Sequence, residues 1–202
     1  MAKKEQMMKN TIILEQFDLG RSDPLVLESL VDCYCATFAG PPWNETWAQE
    51  AVLEKIRKEL NSVSLACIAR DKGKVVGFAW GYRCDAYVLE RKLEIPFADE
   101  LIRRQSIPER DLQYFVFYQS ELGVLPEYQG KGLGKKLFGM RLRMNMSSGD
   151  MTTVVRTRER PEPSLTYGWY RDRLGYRLIA RYPESDGRVI LYNDRLALLG
   201  SV

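Results

Sequence analysis

The sequence predicts an α/β fold, with a mixed central sheet of about six or seven strands flanked by about four helices. One observation is that short runs of β-formers alternate with amphipathic helical runs along the chain. Another is a buried strand that leads through a turn into a glycine-rich helix start over residues 121–134. The third is size, since 202 residues with 45% hydrophobic and 28% charged side chains suit one soluble domain with a sizeable core.

The first half of the chain predicts a polar tail, a strand, two helices and a hairpin. Apolar residues at helical spacing mark the helices, and β-branched or aromatic runs mark the strands. In order, these elements are a tail over residues 1–10, a strand at Thr11–Glu15, helices at Pro24–Phe38 and Thr46–Leu60, and strands at Ser64–Arg70 and Lys74–Tyr82. Ser22 or Asp23 would cap the first helix, and Thr46 with Gln49 has the spacing of a capping box on the second.

The second half predicts a charged segment followed by strands and helices in alternation. The charged segment, residues 83–112, mixes helix and loop. The later elements are a strand that starts at Phe115 and is ended by Pro126, a helix from Leu133 to about Met146, a strand at Met151–Thr157, a helix at Leu165–Arg173, and a closing hairpin of Tyr176–Tyr182 and Gly187–Tyr192. Residues 11–202 are therefore expected to form one domain.

Three glycines at alternate positions, Gly130, Gly132 and Gly134, open the helix that follows the central strand. Glycine lets the backbone come close to a ligand, because no Cβ stands in the way. The first N–H groups of a helix are unpaired and attract anions, and Lys131 and Lys135 add positive charge here. The arrangement predicts a site for a phosphate-bearing ligand.

The spacing of this loop excludes two common nucleotide sites. A dinucleotide fingerprint fails because Lys135 stands where its third glycine belongs, and a P-loop fails because Gln129 and Lys136 replace its first glycine and its hydroxyl residue. The spacing Gln129-x-x-Gly132-x-Gly134 instead resembles the acetyl-coenzyme A loop of the GNAT N-acyltransferase superfamily. The order of predicted elements over residues 11–195 is similar to the GNAT fold as well.

Histidine is absent from the chain, and its four cysteines, Cys33, Cys35, Cys67 and Cys84, form no Cys-x-x-Cys pair. These facts exclude zinc fingers, Ser-His-Asp triads and Cys-His pairs, and they predict no metal site. Any general base must then be a carboxylate, a tyrosine, a lysine or a water molecule. Cys67 and Cys84 lie in or beside predicted strands and are interpreted as buried thiols.

Positive charge is concentrated in the second half of the chain. Residues 1–121 carry 16 basic and 19 acidic side chains, whereas residues 122–202 carry 14 basic and 8 acidic ones. A polyanionic cofactor bound at the glycine loop would explain the excess of basic residues in this half. Nucleic acid would also fit a basic surface, but no nucleic-acid motif accompanies the charge. The polar N-terminus has no apolar signal region and no apolar run approaches ~20 residues, so a cytoplasmic protein without a membrane span is expected.

The resemblance implies transfer of an acetyl group from acetyl-coenzyme A directly to an amine within a ternary complex. The acceptor would be a small-molecule or peptide amine, with its pocket shaped partly by residues 83–112. An alternative is a coenzyme A-binding protein of the same fold without transferase activity, and a third interpretation is a nucleic-acid-associated protein. Oligomeric state stays open, a homodimer included.

The resemblance also assigns cofactor-binding residues. The pantetheine arm would lie between two splayed strands and pair with the edge from Leu122 to Leu125, with Gly123 leaving room for a bend. The N–H of Val124 would stabilise the oxyanion. The implied cofactor-binding residues are Leu122, Val124, Gln129, Gly130, Lys131, Gly132, Gly134 and Lys135. Arg156, Arg158 and Arg160 would either grip the outer phosphate or form a solvated strand edge.

The catalytic residues implied are Glu121 as general base and Tyr170 as the acid that protonates the departing thiolate. Glu121 otherwise reads as an exposed strand residue paired with a cation. The alternative interpretation of Tyr170 is that it only packs its helix against the sheet. The spacing raises this alternative, because Tyr170 lies five residues before Gly175 whereas the family spacing is four. Tyr167 lies one turn earlier on the same side.

The acceptor site is assigned to three residues. The run Pro42-Trp43-Asn44-Glu45 resembles a Pro-Trp-x-Glu element that borders the acceptor in some family members. Glu45 is therefore an acceptor-site residue and the second candidate base, or else a charge near a helix N-terminus. Trp43 and Tyr118 would wall the pocket, or else belong to the core.

Overall fold

A computed structural model describes residues 12–41, 43–60, 64–105, 114–146, 152–160, 165–183 and 187–194. The strands are β1 (Ile13–Gln16), β2 (Ser64–Asp71), β3 (Lys74–Asp85), β4 (Phe115–Val124), β5 (Thr153–Arg158), β6 (Arg177–Arg181) and β7 (Arg188–Asn193). The helices are α1 (Pro24–Ala39), α2 (Gln49–Glu59), α3 (Ala86–Leu93), α4 (Ala98–Gln105), α5 (Leu133–Met146) and α6 (Leu165–Gly168). A short 3-10 helix, Pro126–Tyr128, precedes α5, and a π-helical turn, Trp169–Arg173, extends α6.

The predicted α/β fold is confirmed, with seven strands in one mixed sheet of order β1-β2-β3-β4-β5-β7-β6. The described part of the chain has more helices than the expected four, because the charged segment after β3 folds into the short helices α3 and α4. None of the helices in the described residues is long and apolar enough to cross a membrane.

Two predicted caps had different outcomes. Asp23 caps α1, since its carboxylate accepts the N–H of Leu25 at 2.9 Å. The capping box of Thr46 and Gln49 is wrong, because α2 begins at Gln49 after Ala48, whose side chain makes no capping bond. The N–H of Glu45 donates instead to the carbonyl of Phe38 at 2.8 Å, and this contact ties the segment before α2 to the end of α1.

Alternate residues of each strand pack on opposite faces of the sheet. In β2, Ile68 packs with the core under α1 and α2, whereas Ala69 packs with the core under α5. In β7, Ile190 belongs to the core with α3 and α4, whereas Leu191 belongs to the core with α6. Helices α1 to α4 therefore cover one face, and α5 and α6 cover the other.

The sheet splits between β4 and β5, which pair in parallel only over Phe117–Gln119 and Thr153–Val155. Both strands continue past these pairs, to Val124 and Arg158. The register between β3 and β4 shifts between Trp80 and Tyr82, so that two residues of β4 oppose Gly81. A bulge of this kind bends its strand, and it explains why β4 leaves β5 here.

The expected bend at Gly123 is therefore in the wrong place, since the bulge lies at residues 119–120. Gly123 has another reason to be glycine. A Cβ at this position would stand 2.3 Å from Cζ of Phe78, whose ring is fully buried.

Replacing Gly81 with alanine should lower the free energy of unfolding by about 1–3 kcal/mol. The reason is that the new Cβ would stand 2.4 Å from the carbonyl oxygen of Tyr118, which belongs to the bulge region and cannot rotate away. Urea unfolding measures the change. Gly40→Ala is the control, because no atom lies within 4 Å of its Cβ position, and an equal loss in both variants would contradict the bulge argument.

Candidate active site

The split in the sheet forms the wall of a cavity of about 910 Å³. Side chains from both faces of the sheet line it, together with the separated ends of β4 and β5. The predicted residues that line this cavity are Trp43, Glu45, Glu121, Leu122, Val124, Gln129, Gly130, Gly134, Lys135 and Tyr170. The fold thus brings most of the predicted site together, whereas Tyr118, Lys131 and Gly132 lie outside its lining.

The strand edge at the cavity has N–H groups that point away from β3. The N–H of Leu125 donates to the carbonyl of Val76 on β3 at 3.0 Å. Because successive residues of a strand alternate in direction, the N–H groups of Leu122 and Val124 face the split instead. Gln129 donates its side-chain N–H to the carbonyl of Val124 at 2.9 Å, and so fastens the loop to the strand end.

The glycine loop has the backbone that close ligand approach requires. Gly130 and Gly132 have φ values of +72° and +77°, where other residues are strained, and nothing lies within 4 Å of their Cβ positions. The N–H of Lys136 donates to the carbonyl of Gly132 at 3.1 Å as the helix begins. The N–H groups of Leu133, Gly134 and Lys135 precede this bond, so they have no intrahelical partner and are available to an anion.

The two predicted loop lysines differ in placement. Lys135 lines the cavity. Lys131 folds back, since its ammonium donates to the carbonyl of Glu127 at 2.8 Å and lies 5.6 Å from the centre of the Tyr128 ring. This placement does not support the cofactor role predicted for Lys131.

Glu121 lies on the cavity wall, and its side chain is only 12% exposed. Burial raises the pKa of its carboxyl group, although the ammonium of Lys55, 3.1 Å away, opposes the rise. The alternative interpretation was half right, because Glu121 does pair with a cation but is not an exposed residue. A buried carboxylate with a raised pKa is a better proton acceptor than a solvated one.

A second carboxylate, that of Glu59, also pairs with Lys55, and Glu59 was not identified from the sequence. Its carboxylate is buried and binds Lys55 at 3.1 Å and Lys92 at 2.9 Å. It also accepts hydrogen bonds from Trp80 at 2.9 Å and Ser120 at 2.6 Å. Burial raises the pKa of Glu59, but these partners outweigh it and lower the pKa to about 2. The available signal was an acidic residue on the apolar stripe of a helix.

Glu45 lies at the opposite wall, held by cations. Its carboxylate is 3.1 Å from Arg188 and 3.6 Å from Arg158, and it accepts the indole N–H of Trp47 at 3.1 Å. Trp43 lies beneath Arg158, whose guanidinium carbon is 5.1 Å from the ring centre. Glu45 is four residues before α2, so the helix-terminus interpretation does not apply. These contacts position the loop and make Glu45 the less available base.

Tyr170 reaches the cavity because α6 ends in a π-helical turn. A π-helical turn holds one more residue than an α-helical turn. The extra residue between Tyr170 and Gly175 is accommodated in this turn, which is closed by a bond from the N–H of Leu174 to the carbonyl of Trp169. Tyr167, the alternative, is not among the residues lining the cavity.

Arg141 is a second residue that the sequence did not reveal. The residue is 1% exposed, and its guanidinium donates to the carbonyls of Trp80 at 3.1 Å and Glu121 at 2.6 Å. It also donates to the side-chain oxygen of Gln119 in the bulge, and it lies beside the hydroxyl of Tyr170. Burial raises the pKa of Tyr170, and Arg141 opposes that rise. Arg141 therefore joins the bulge to the candidate acid.

Three further sequence interpretations are corrected or refined. Tyr118 is 3% exposed and packs in the core with α3 and α4, so the geometry does not support an acceptor contact.

The arginines of β5 are not at a solvated edge, since β5 lies between β4 and β7. Arg158 is buried, and Arg156 is exposed on the cavity wall. Burial raises the pKa of the Cys67 thiol to about 11 and of Cys84 to about 12, which makes both poor nucleophiles.

The sequence profile of the acetyltransferase (GNAT) family matches residues 27–143. The chain belongs to this family. No curated protein matches the chain in sequence. Among solved structures, the aminoglycoside 6'-N-acetyltransferase from Enterococcus faecium is 15% identical, with a TM-score of 0.56 over 90% of this chain and 96% of that one.

Two other solved structures show the same fold. The PaiA N-acetyltransferase from Thermoplasma acidophilum, in complex with coenzyme A, is 15% identical, with a TM-score of 0.56 over 91% of this chain and 99% of that one. The ribosomal-protein-S18-alanine N-acetyltransferase from Escherichia coli is 14% identical, with a TM-score of 0.55 over 90% of this chain and 92% of that one. At these identities the likeness concerns the GNAT fold alone.

Replacing Glu59 with glutamine should lower the free energy of unfolding at neutral pH and flatten its acid dependence. The folded-state pKa of Glu59, about 2, lies below its unfolded value. Its stabilisation is therefore present above the unfolded pKa and is lost as pH falls toward about 2. At ~1.4 kcal/mol per pH unit, the effect is on the order of 3 kcal/mol.

Urea unfolding between about pH 7 and pH 3 measures this acid dependence. Glu54→Gln is the matched control, since Glu54 is exposed on the same helix. Identical pH profiles for Glu59→Gln and the unmodified protein would show that the buried network does not titrate as described.

Proposed function

We propose that this GNAT protein transfers the acetyl group of acetyl-coenzyme A directly to an amine within a ternary complex. The observation that carries the proposal is the open strand edge at Val124, with Glu121 and Tyr170 both on the wall of the same cavity. Acyl transfer needs an oxyanion donor, a proton acceptor and a proton donor, and these three groups can supply those roles.

The loop and strand fit the two ends of a coenzyme A molecule. The N–H groups of Leu133, Gly134 and Lys135 would hold the pyrophosphate, with the Lys135 ammonium adding charge. The N–H groups of Leu122 and Val124 would pair with the amides of the pantetheine arm, as a further strand would. The coenzyme A in the T. acidophilum structure supports this use of the fold.

Glu121 would act as the general base. An acceptor amine is mostly protonated at neutral pH, so it must lose a proton to attack the thioester carbonyl carbon. Glu121 would accept that proton, directly or through one water, and Lys55 would balance the negative charge of the carboxylate between turnovers. The N–H of Val124 would donate to the carbonyl oxygen as negative charge develops there.

Tyr170 would complete the reaction. When the carbon–sulfur bond breaks, the leaving thiolate needs a proton, and burial keeps the Tyr170 hydroxyl protonated by raising its pKa. Arg141 opposes that rise, and a guanidinium beside the hydroxyl eases release of its proton. The acid and the base would thus act on the substrates from opposite faces of the sheet, at the split between β4 and β5.

The alternative, a coenzyme A-binding protein without transferase activity, was favoured by the irregular spacing around Tyr170. The π-helical turn accommodates that spacing and brings Tyr170 to the cavity, which supports the transferase instead. Tight binding of acetyl-coenzyme A without turnover of any amine would reverse this choice.

Glu121→Gln should leave acetyl-coenzyme A affinity unchanged and lower the acetyl-transfer rate at neutral pH by roughly 10²-fold. The rate should partly recover as pH rises, because more of the amine is then free. Release of the coenzyme A thiol measures turnover. Glu127→Gln, at an exposed site nearby, is the control for loss of charge, and an unchanged rate across the pH range would assign the base to Glu45 or to a water chain.

Tyr170→Phe should lower kcat by roughly 10²-fold or more with little change in cofactor affinity, because phenylalanine keeps the ring and loses the proton. Tyr167→Phe is the matched control on the same helix and should keep full activity. If Tyr167→Phe alone loses turnover, the acid lies one turn earlier. If neither variant does, solvent protonates the thiolate.

A further inference from the structure

One end of the cavity has the character of an acceptor chamber. We use this name for the part on the α1–α2 side, lined by four aromatic residues, three cations and two carboxylates. These residues are Tyr34, Phe38, Trp43, Trp47, Lys55, Arg156, Arg188, Glu45 and Glu121. The charges in the chamber do not balance, and the excess is positive.

The excess charge is located at Arg156. Lys55 pairs with Glu121 at 3.1 Å, and Arg188 pairs with Glu45 at 3.1 Å. Within the described ranges, no carboxylate lies within 4.0 Å of Arg156, which instead hydrogen-bonds Tyr182 and stays exposed to the cavity. A guanidinium can hold a planar anion with two parallel hydrogen bonds, so an exposed arginine in a cavity wall is suited to bind such an anion.

Arg156 lies near Glu121 without touching it. The parallel pairing of Gln119 with Val155 places Arg156 beside Ser120 across the split, one residue from Glu121. Each charge affects the pKa of the other, so the two side chains are electrostatic neighbours beyond ion-pair distance. The gap between them suits a small molecule that carries one positive and one negative group.

Arg156 is poorly placed to bind the cofactor phosphates. Its electrostatic neighbours include Tyr118 and Tyr182, which belong to the core on the α3–α4 face. The glycine loop leads into α5, which covers the other face of the sheet. The anion recognised by Arg156 must therefore belong to the second substrate.

We propose that the acceptor is an amine that also carries a carboxylate a few bonds away, as an amino acid does. This inference rests on the proposed transferase function. The carboxylate would bind Arg156 and the amine would lie against Glu121, so that the substrate neutralises the excess charge of the chamber and its nitrogen meets the base. The aromatic walls would contact an apolar side chain of the same substrate.

The experiment compares amino acids with their primary amides as acceptors. Each pair has the same amine position and side chain, but the amide lacks the negative charge. The amine of an amino acid amide loses its proton more readily than the amine of the amino acid itself. A preference for the amino acid must therefore come from binding of its carboxylate. Turnover is followed as coenzyme A thiol release, and kcat and KM are determined for the unmodified protein, Arg156→Gln, Arg156→Lys and the control Arg181→Gln, which lies outside the cavity.

The unmodified protein should use the acid with a kcat/KM at least roughly 10-fold above that of the amide. Arg156→Gln should lower the value for the acid by roughly 10- to 100-fold, mainly through KM, and leave the amide within about 3-fold. Arg156→Lys should recover part of the loss, since it keeps the charge and loses the fork. Arg181→Gln should change neither value.

Equal use of acid and amide, or equal losses on both in Arg156→Gln, would overturn the inference and leave the transferase function standing. Turnover of simple alkylamines without turnover of any amino acid would do the same. If acetyl-coenzyme A binds but no amine of any class is acetylated, the inference and the transferase function both fail.

Discussion

The geometry of the site depends on a buried guanidinium at a strand bulge. When β4 bulges opposite Gly81, its ladder with β3 is interrupted and nearby carbonyls need new donors. Arg141 supplies them, binding the carbonyls of Trp80 and Glu121 and the side chain of Gln119. No carboxylate pairs with Arg141 in the part of the chain that the structure describes, so carbonyl dipoles offset its desolvation. The open edge at Val124 follows from this arrangement.

A second constraint is the placement of two carboxylates, Glu59 and Glu121, around one lysine. Burying two like charges close together costs free energy. The carboxylate that accepts fewer hydrogen bonds is the one whose pKa is raised. Glu59 has four partners and keeps its charge, whereas Glu121 is held by Lys55 and carries the raised pKa. The difference in hydrogen bonding separates a structural anion from a candidate base, although both are glutamates in the same cluster.

The sequence was sufficient where local chemistry decides the structure. The Asp23 cap and the start of α5 at Leu133, inside the glycine loop, are local signals, and both lie where they were predicted. Glu59 and Arg141 escaped prediction because their partners are distant: Glu59 binds Ser120, and Arg141 binds Trp80, each across 61 positions of the chain. The choice between the pocket and the core for Tyr118 stayed open for the same reason, since residues of α3, α4 and the neighbouring strands bury it.

At α6 the fold preserves the position of the Tyr170 side chain although the spacing of the motif in the sequence differs. The chain has one residue more than the family spacing between Tyr170 and Gly175, and a regular α-helix would rotate the tyrosine by about 100° for that residue. The π-helical turn absorbs the rotation locally, and the rings of Phe138 and Tyr176, centred 6.0 and 5.0 Å away, hold Tyr170 against the wall. The turn returns a side chain to a cavity, in line with the frequent occurrence of π-helical turns at functional sites.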